Sequence, residues 1–215
     1  MHDLAKEQPE KLAEMKKLFL AQAKENKVFP IGAGIWLRIH PEDRIKTPYT
    51  SWTFDETTTR MPEFTAPAVG NTSNTVTIEL ECGADSSGVL YALGGAGGGL
   101  TCYMDKGQLV FEYNLMIIDR SIAKSQEKLA AGKHTIVVET TLKAPKPGAP
   151  ADIVLTVDGK EVARTAVKMT VPAAFTASES FDVGVDLGSV VSRDYFERRP
   201  FKFGGNIKKV QVQTK

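Results

Sequence analysis

From residue 75 to residue 167 the chain gives regular strand signals in short runs, the first of them alternating apolar and polar side chains, and the runs are punctuated by turn residues. A period of two sends successive side chains to opposite faces, so these runs bury one side as strands and do not read as helices. Residues 75–82 alternate, 89–93 follow a Ser-Ser-Gly turn, and 100–104 turn at Asp105-Lys106-Gly107 into 108–115. Further runs cover 133–142 and 152–157, separated by Ala144-Pro145-Lys146-Pro147-Gly148-Ala149-Pro150, which is too rich in proline for a hydrogen-bonded ladder. Asp158-Gly159 is a two-residue hairpin signal joining 153–157 to 161–167. The last third supplies Phe181-Asp182-Val183-Gly184 and an alternating run over 206–212 that closes the fold. Many short strands with tight turns predict two packed antiparallel sheets.

The first thirty residues are different in kind. Pro9 suits a helix first turn, and Leu12, Met15, Leu18 and Phe19 then recur at helical spacing, predicting an amphipathic helix to about Asn26. Its apolar stripe needs a partner, either the sandwich itself or a domain outside this chain. Residues 31–73 are rich in Pro, Thr and Gly, with Trp36, Tyr49 and Trp52 among them, and read as an irregular wrap with short edge strands. The division is therefore 1–30 helical, 31–73 wrap and 74–215 sandwich, with 31–215 as one domain. Lys plus Arg number 27 against 26 Asp plus Glu, so no net field draws the chain to nucleic acid or to an anionic membrane. No run of apolar residues is long enough to span a bilayer.

Few residues suggest chemistry. Gly94 to Gly99 invites a phosphate-loop reading, but no Lys-Ser/Thr follows and Leu100-Thr101-Cys102-Tyr103 continues as a strand. Asp182 and Asp186 are an even number apart, which makes a calcium site an alternative; the default is that Asp182, Asp186 and the Tyr195 hydroxyl fix a turn by hydrogen bonds. Cys82 and Cys102 flank one strand, and the outer strands of a three-strand meander lie about 9.6 Å apart. That exceeds the ~7 Å reach of a disulfide, so buried thiols are expected unless the chain changes sheets between them. Most aromatic residues alternate with aliphatic ones and read as core, including Tyr103, Tyr113 and Tyr195. Tyr49 and Trp52, in the Pro/Thr-rich wrap, are the better candidates for an exposed sugar-stacking surface.

Several segments together carry a family resemblance. His2-Asp3-Leu4, Pro9-Glu10-Lys11-Leu12, Arg60-Met61-Pro62-Glu63, Ala66-Pro67-Ala68-Val69, the Gly94 to Gly99 run, Ala131-Gly132-Lys133-His134, Val157-Asp158-Gly159 and Phe181 to Ser189 occur in that order. The set resembles the C-terminal region of bacterial formylglycine-dependent arylsulfatases. That resemblance implies a concanavalin-like jelly roll behind a helix that leads out of a catalytic domain lying upstream, with the amino end a cut behind Met1. It also implies a parent enzyme that hydrolyses sulfate esters in a bacterial periplasm or cytoplasm, with a divalent cation, calcium or magnesium, held upstream. This chain lacks the Cys/Ser-x-Pro-x-Arg precursor and the paired Asp residues of such a centre, so the expectation is a non-catalytic accessory domain with no cofactor. Leu12, Met15, Leu18 and Phe19 become its candidates for docking on the catalytic domain. The alternative is a carbohydrate-binding, lectin-like module holding a glycan. A glycosidase using strand carboxylates such as Glu79, Glu81, Glu112 or Glu139 lacks a Glu-x-Asp-x-x-Glu arrangement.

Overall fold

The structure, a computed structural model, describes residues 3–25, 40, 49–176 and 178–215. Among the described residues one α-helix and twelve strands follow in chain order, with a 3-10 helix at Arg193–Arg198: α1 Pro9–Glu25, β1 Ser51–Phe54, β2 Met61–Pro62, β3 Asn74–Cys82, β4 Gly88–Gly95, β5 Gly98–Asp105 and β6 Gln108–Leu115. Then come β7 Asp119–Lys124, β8 Gly132–Leu142, β9 Ala151–Val157, β10 Lys160–Val167, β11 Ser180–Val183 and β12 Asn206–Thr214. They form two six-stranded antiparallel sheets, sheet A in the order β1-β12-β3-β8-β9-β10 and sheet B in the order β2-β11-β4-β5-β6-β7. This is a jelly-roll β-sandwich of the concanavalin-like kind with a helix at its amino end. The expected edge strands of the wrap are β1 and β2, one at the edge of each sheet.

Alternation decides what goes inside. Val76, Ile78 and Leu80 of β3 and Ile153 and Leu155 of β9 face Leu100, Cys102 and Met104 of β5 and Phe111 and Tyr113 of β6 across one core. Tyr113 keeps a polar end inside that core, because its hydroxyl donates to the Gly70 carbonyl at 2.6 Å and accepts from Val171 N at 2.8 Å. At the β9–β10 hairpin Asp158 and Gly159 both take positive φ, as a two-residue turn of that hand requires.

Three expectations are corrected here. The stripe Leu12, Met15, Leu18 and Phe19 does not pack the helix onto the sandwich. Leu12 is half-buried, whereas Met15, Leu18 and Phe19 stay 59%, 57% and 53% exposed, because the two sheets already close the core between themselves. Trp52 is no sugar platform, since β1 pairs it with Val212 and it lies half-buried against the core. The meander assumed for the cysteines does not exist: β3 lies in sheet A, while β4 and β5 lie in sheet B. Cys82 and Cys102 are nonetheless free thiols, both buried.

β7 was not legible as a strand, and the reason is its inverted pattern. Its aliphatic Ile122 faces out beside Arg120 and Lys124, while the small Ala123 faces the core.

Candidate functional site

The chain between β11 and β12 leaves the sheets and lies back across the outer face of sheet B. Gly184 and Gly188 take φ of +74° and +81° and turn it there. Val190, Val191, Tyr195 and Phe201 then pack on Val89, Ala92, Tyr103 and Val110, forming a second apolar cluster. Tyr195 stacks on Phe201 with ring centroids 4.9 Å apart and meets Tyr103 edge-on at 5.0 Å. Val89 N donates to the Phe201 carbonyl at 2.8 Å, and Arg198 donates to Asp105 at 2.7 Å. The segment is a fixed roof over the β4–β5 side of the sheet.

Of the predicted turn residues Asp186 and Tyr195 belong to this roof, whereas Asp182 lies in β11. Asp186 Oδ2 accepts from Val191 N at 2.8 Å and from the Tyr195 hydroxyl at 2.6 Å. Asp182 points elsewhere, accepting from Arg60 N at 2.6 Å and from the Ser180 hydroxyl at 2.9 Å, and so ties the wrap to β11. Protein donors occupy both oxygens of Asp182 but only Oδ2 of Asp186, whose Oδ1 is buried without one. Among the described residues no three His, Cys, Asp or Glu side chains gather as an ion site.

Beyond the roof the face is open. The even-numbered residues of β7 point outward, so Arg120, Ile122 and Lys124 form a strip along the edge of sheet B. Arg120 is held rigidly. Its Nε and Nη2 donate to the two oxygens of Glu112 at 2.7 and 2.8 Å, and Nη2 also reaches Asp194 of the roof at 3.2 Å. Glu112 is fully buried, and a buried carboxylate needs such a partner. The guanidinium pKa moves up in response, chiefly through the hydrogen bond to Glu112. Nη1 has no partner among the described residues.

The strip continues into a groove of about 580 Å³ between the edge strands β7 and β10. Ile122, Lys124 and Gln126 make one wall, and Glu161, Val162 and Arg164 make the other. Arg164 repeats the geometry of Arg120, with Nε and Nη2 each 2.6 Å from an oxygen of Glu161. A second concavity beside Glu63 and Asn71, of only about 10 Å³, holds no more than a water.

Of the residues proposed from sequence, none lies in this groove. Tyr49 is 67% exposed just before β1, at the opposite edge of sheet A from β10, and Trp36 lies outside the described residues. Tyr103, Tyr113 and Tyr195 are core. Sequence reasoning met Glu112 only as a possible glycosidase acid, and it missed Arg120, Lys124, Glu161 and Arg164. A signal was present: Glu112 and Arg120 flank the hairpin turn at Met116-Ile117 at a spacing that puts both on one face.

No family model matches the chain, and no curated protein matches it. Among solved structures it is similar to the Ruminococcus gnavus IT-sialidase CBM40 bound to α2,3 sialyllactose, at 15% identity and a TM-score of 0.48 over 67% of this chain and 77% of that one. It is also similar to domains LG4-5 of the mouse laminin α1 chain, at 17% identity and a TM-score of 0.46 over 67% of this chain and 36% of that one. A third is the leech intramolecular trans-sialidase, at 13% identity and a TM-score of 0.46 over 67% of this chain and 22% of that one. At these identities the likeness concerns the fold alone. The expectation of a sulfatase accessory domain is corrected: no family model or curated protein ties the chain to a sulfatase, and none of these three structures is one.

Proposed function

We propose that this domain is a non-catalytic carbohydrate-binding module that holds a glycan in the groove between β7 and β10. The groove carries the reading: its volume of about 580 Å³ suits a short stretch of oligosaccharide, and it is open, so a longer chain can run through it. Its chemistry fits as well. Ile122 and Val162 offer apolar contact to sugar C–H faces, while Lys124, Gln126, Glu161 and Arg164 offer donors and acceptors to ring hydroxyls.

The test is binding of the purified chain to a panel of immobilised oligosaccharides, followed by titration of whatever binds. Lys124→Ala and Arg164→Ala each remove donors from a wall and are expected to weaken binding about fivefold, the worth of roughly 1 kcal/mol per hydrogen bond. Absence of binding across the panel at millimolar sugar, or binding untouched by both substitutions, would sink the proposal.

A further inference from the structure

The charges of the site point to the kind of sugar. Lys124, Arg164 and Glu161 line the groove itself, and Arg120, paired with Glu112 and Asp194, stands beyond it on the same outward strip of β7, where a longer glycan would run; Asp105 is near enough to Lys124 for their charges to interact. The two arginines are already committed. Each places Nε and Nη2 on a carboxylate, and Arg120 carries a second one besides. Resting on the glycan reading above, we infer that the ligand is a neutral, hydroxyl-rich glycan, and that the Glu112–Arg120–Asp194 arrangement rejects acidic sugars.

An incoming carboxylate or sulfate meets an arginine that is already paired. To be bound by Arg120 in the forked geometry that makes such pairs strong, it must displace Glu112. Glu112 is fully buried, and stripping its partner leaves an uncompensated charge inside the protein. Asp194, half-exposed at the roof, adds repulsion at the same place. A neutral hydroxyl faces neither penalty. It accepts from the unpartnered Nη1 of Arg120 or Arg164 and donates to a carboxylate oxygen, and every ion pair stays in place. Of the three cations only Lys124 makes no close ion pair among the described residues, though the Asp105 charge acts on it, and one exposed ammonium is a weak receptor for an anion. The paired charges therefore serve as fixed dipoles that orient hydroxyl groups. Binding of this type neutralises no net charge, so salt has little to screen.

The experiment compares methyl-esterified with free oligogalacturonide, which differ only in the acid, and lactose with 3′-sialyllactose, which adds an acidic sugar residue, by calorimetric titration at low and high sodium chloride. The expected result is that the neutral member of a pair binds more tightly, with less than about a twofold change between salt conditions. Asp194→Asn, at an exposed position that leaves the Glu112 pair intact, is expected to raise affinity for the acidic member and to make it salt-dependent. Tighter binding of the acidic member to the unaltered protein, weakening with salt, would overturn the neutral-ligand inference while leaving the glycan module standing. If no member of any pair and no glycan of the panel binds, the module reading falls and this inference falls with it.

Discussion

The Tyr195 hydroxyl donates to Asp186 Oδ2 across 2.6 Å, and the other oxygen of that carboxylate, Oδ1, is buried with no hydrogen-bond partner. The pair joins the start of the roof to its middle, and the Tyr195 oxygen also lies 3.1 Å from the Thr101 hydroxyl of β5 beneath it. Burial pushes the Asp186 pKa up to about 7; the Tyr195 and Val191 hydrogen bonds oppose the rise, and the nearby Asp182 and Glu179 charges add to it. A proton bound to the folded state is thus lost more readily on unfolding.

The consequence for stability has a definite sign. Because the folded pKa of Asp186 lies above the unfolded value of 3.8, its contribution is complete below about pH 4 and disappears as pH rises through about 7. A rise from 3.8 to about 7 is worth at most about 4 kcal/mol across that window. Thermal melts of the unaltered protein and of Asp186→Asn between pH 5 and 8.5 check it. The unaltered protein is expected to lose stability relative to the variant as pH rises, and parallel curves would refute the assignment.

A second titration belongs to His134 at the start of β8. Its Nδ1 lies 2.7 Å from Asp158 Oδ2 and its Nε2 lies 2.9 Å from the Ala130 carbonyl, so both ring nitrogens face acceptors and the doubly protonated ring suits the site. Burial pulls its pKa down, but these two hydrogen bonds and the Asp158 charge outweigh that and carry it above 6.5. The stabilisation is therefore present below pH 6.5 and is lost as pH rises through the higher folded value. NMR titration of the ring is expected to show the cation persisting above pH 6.5, and Asp158→Asn is expected to bring the midpoint down. An unchanged midpoint in that variant would show that the carboxylate is not the cause.

The cysteines give a third expectation, about reactivity. Cys102 is fully buried in the core, and burial pushes its thiol pKa strongly upward; Cys82 is shifted the same way by the same cause. The thiolate is the reactive form, so both are expected to resist a maleimide under native conditions and to label after denaturation. Rapid native labelling at Cys102 would mean that sheet B opens far more readily than its packing implies.

What was legible in the sequence followed from where one face is buried. The strands over residues 75–82, 108–115, 133–142 and 152–157 could be placed because alternation and core-facing side chains agree there, as at Ile78 and Phe111. β7 could not, since Ile122 faces outward and its inward residue is only alanine. The candidate site was hidden for the same reason. Its parts come from edge strands of different sheets and from the roof, so Arg120 meets Asp194 across 74 positions of sequence. No local pattern reports a meeting of that kind. The roof itself was half legible: its glycines and aspartates announced a turn, but not that Tyr195 would fold down onto sheet B.

The helix offers the last prediction. Helices of this length are marginal alone in water, so α1 is stabilised only where it finds a partner. Ala23 is 3% exposed and Leu12 is half-buried, whereas Met15, Leu18 and Phe19 are each more than half exposed. Side chains that remain in water contribute little burial energy, and an aspartate there removes no contact of consequence. Leu18→Asp is therefore expected to leave the melting temperature within about 2 °C of the unaltered protein. Phe111→Ala in the core, by contrast, removes a 1%-exposed ring and is expected to cost about 3 to 5 kcal/mol, lowering the melting temperature on the order of 10 °C. Paired melts followed by circular dichroism separate the cases. A loss with Leu18→Asp as large as the core variant's would mean that this turn of the helix is seated on the protein after all.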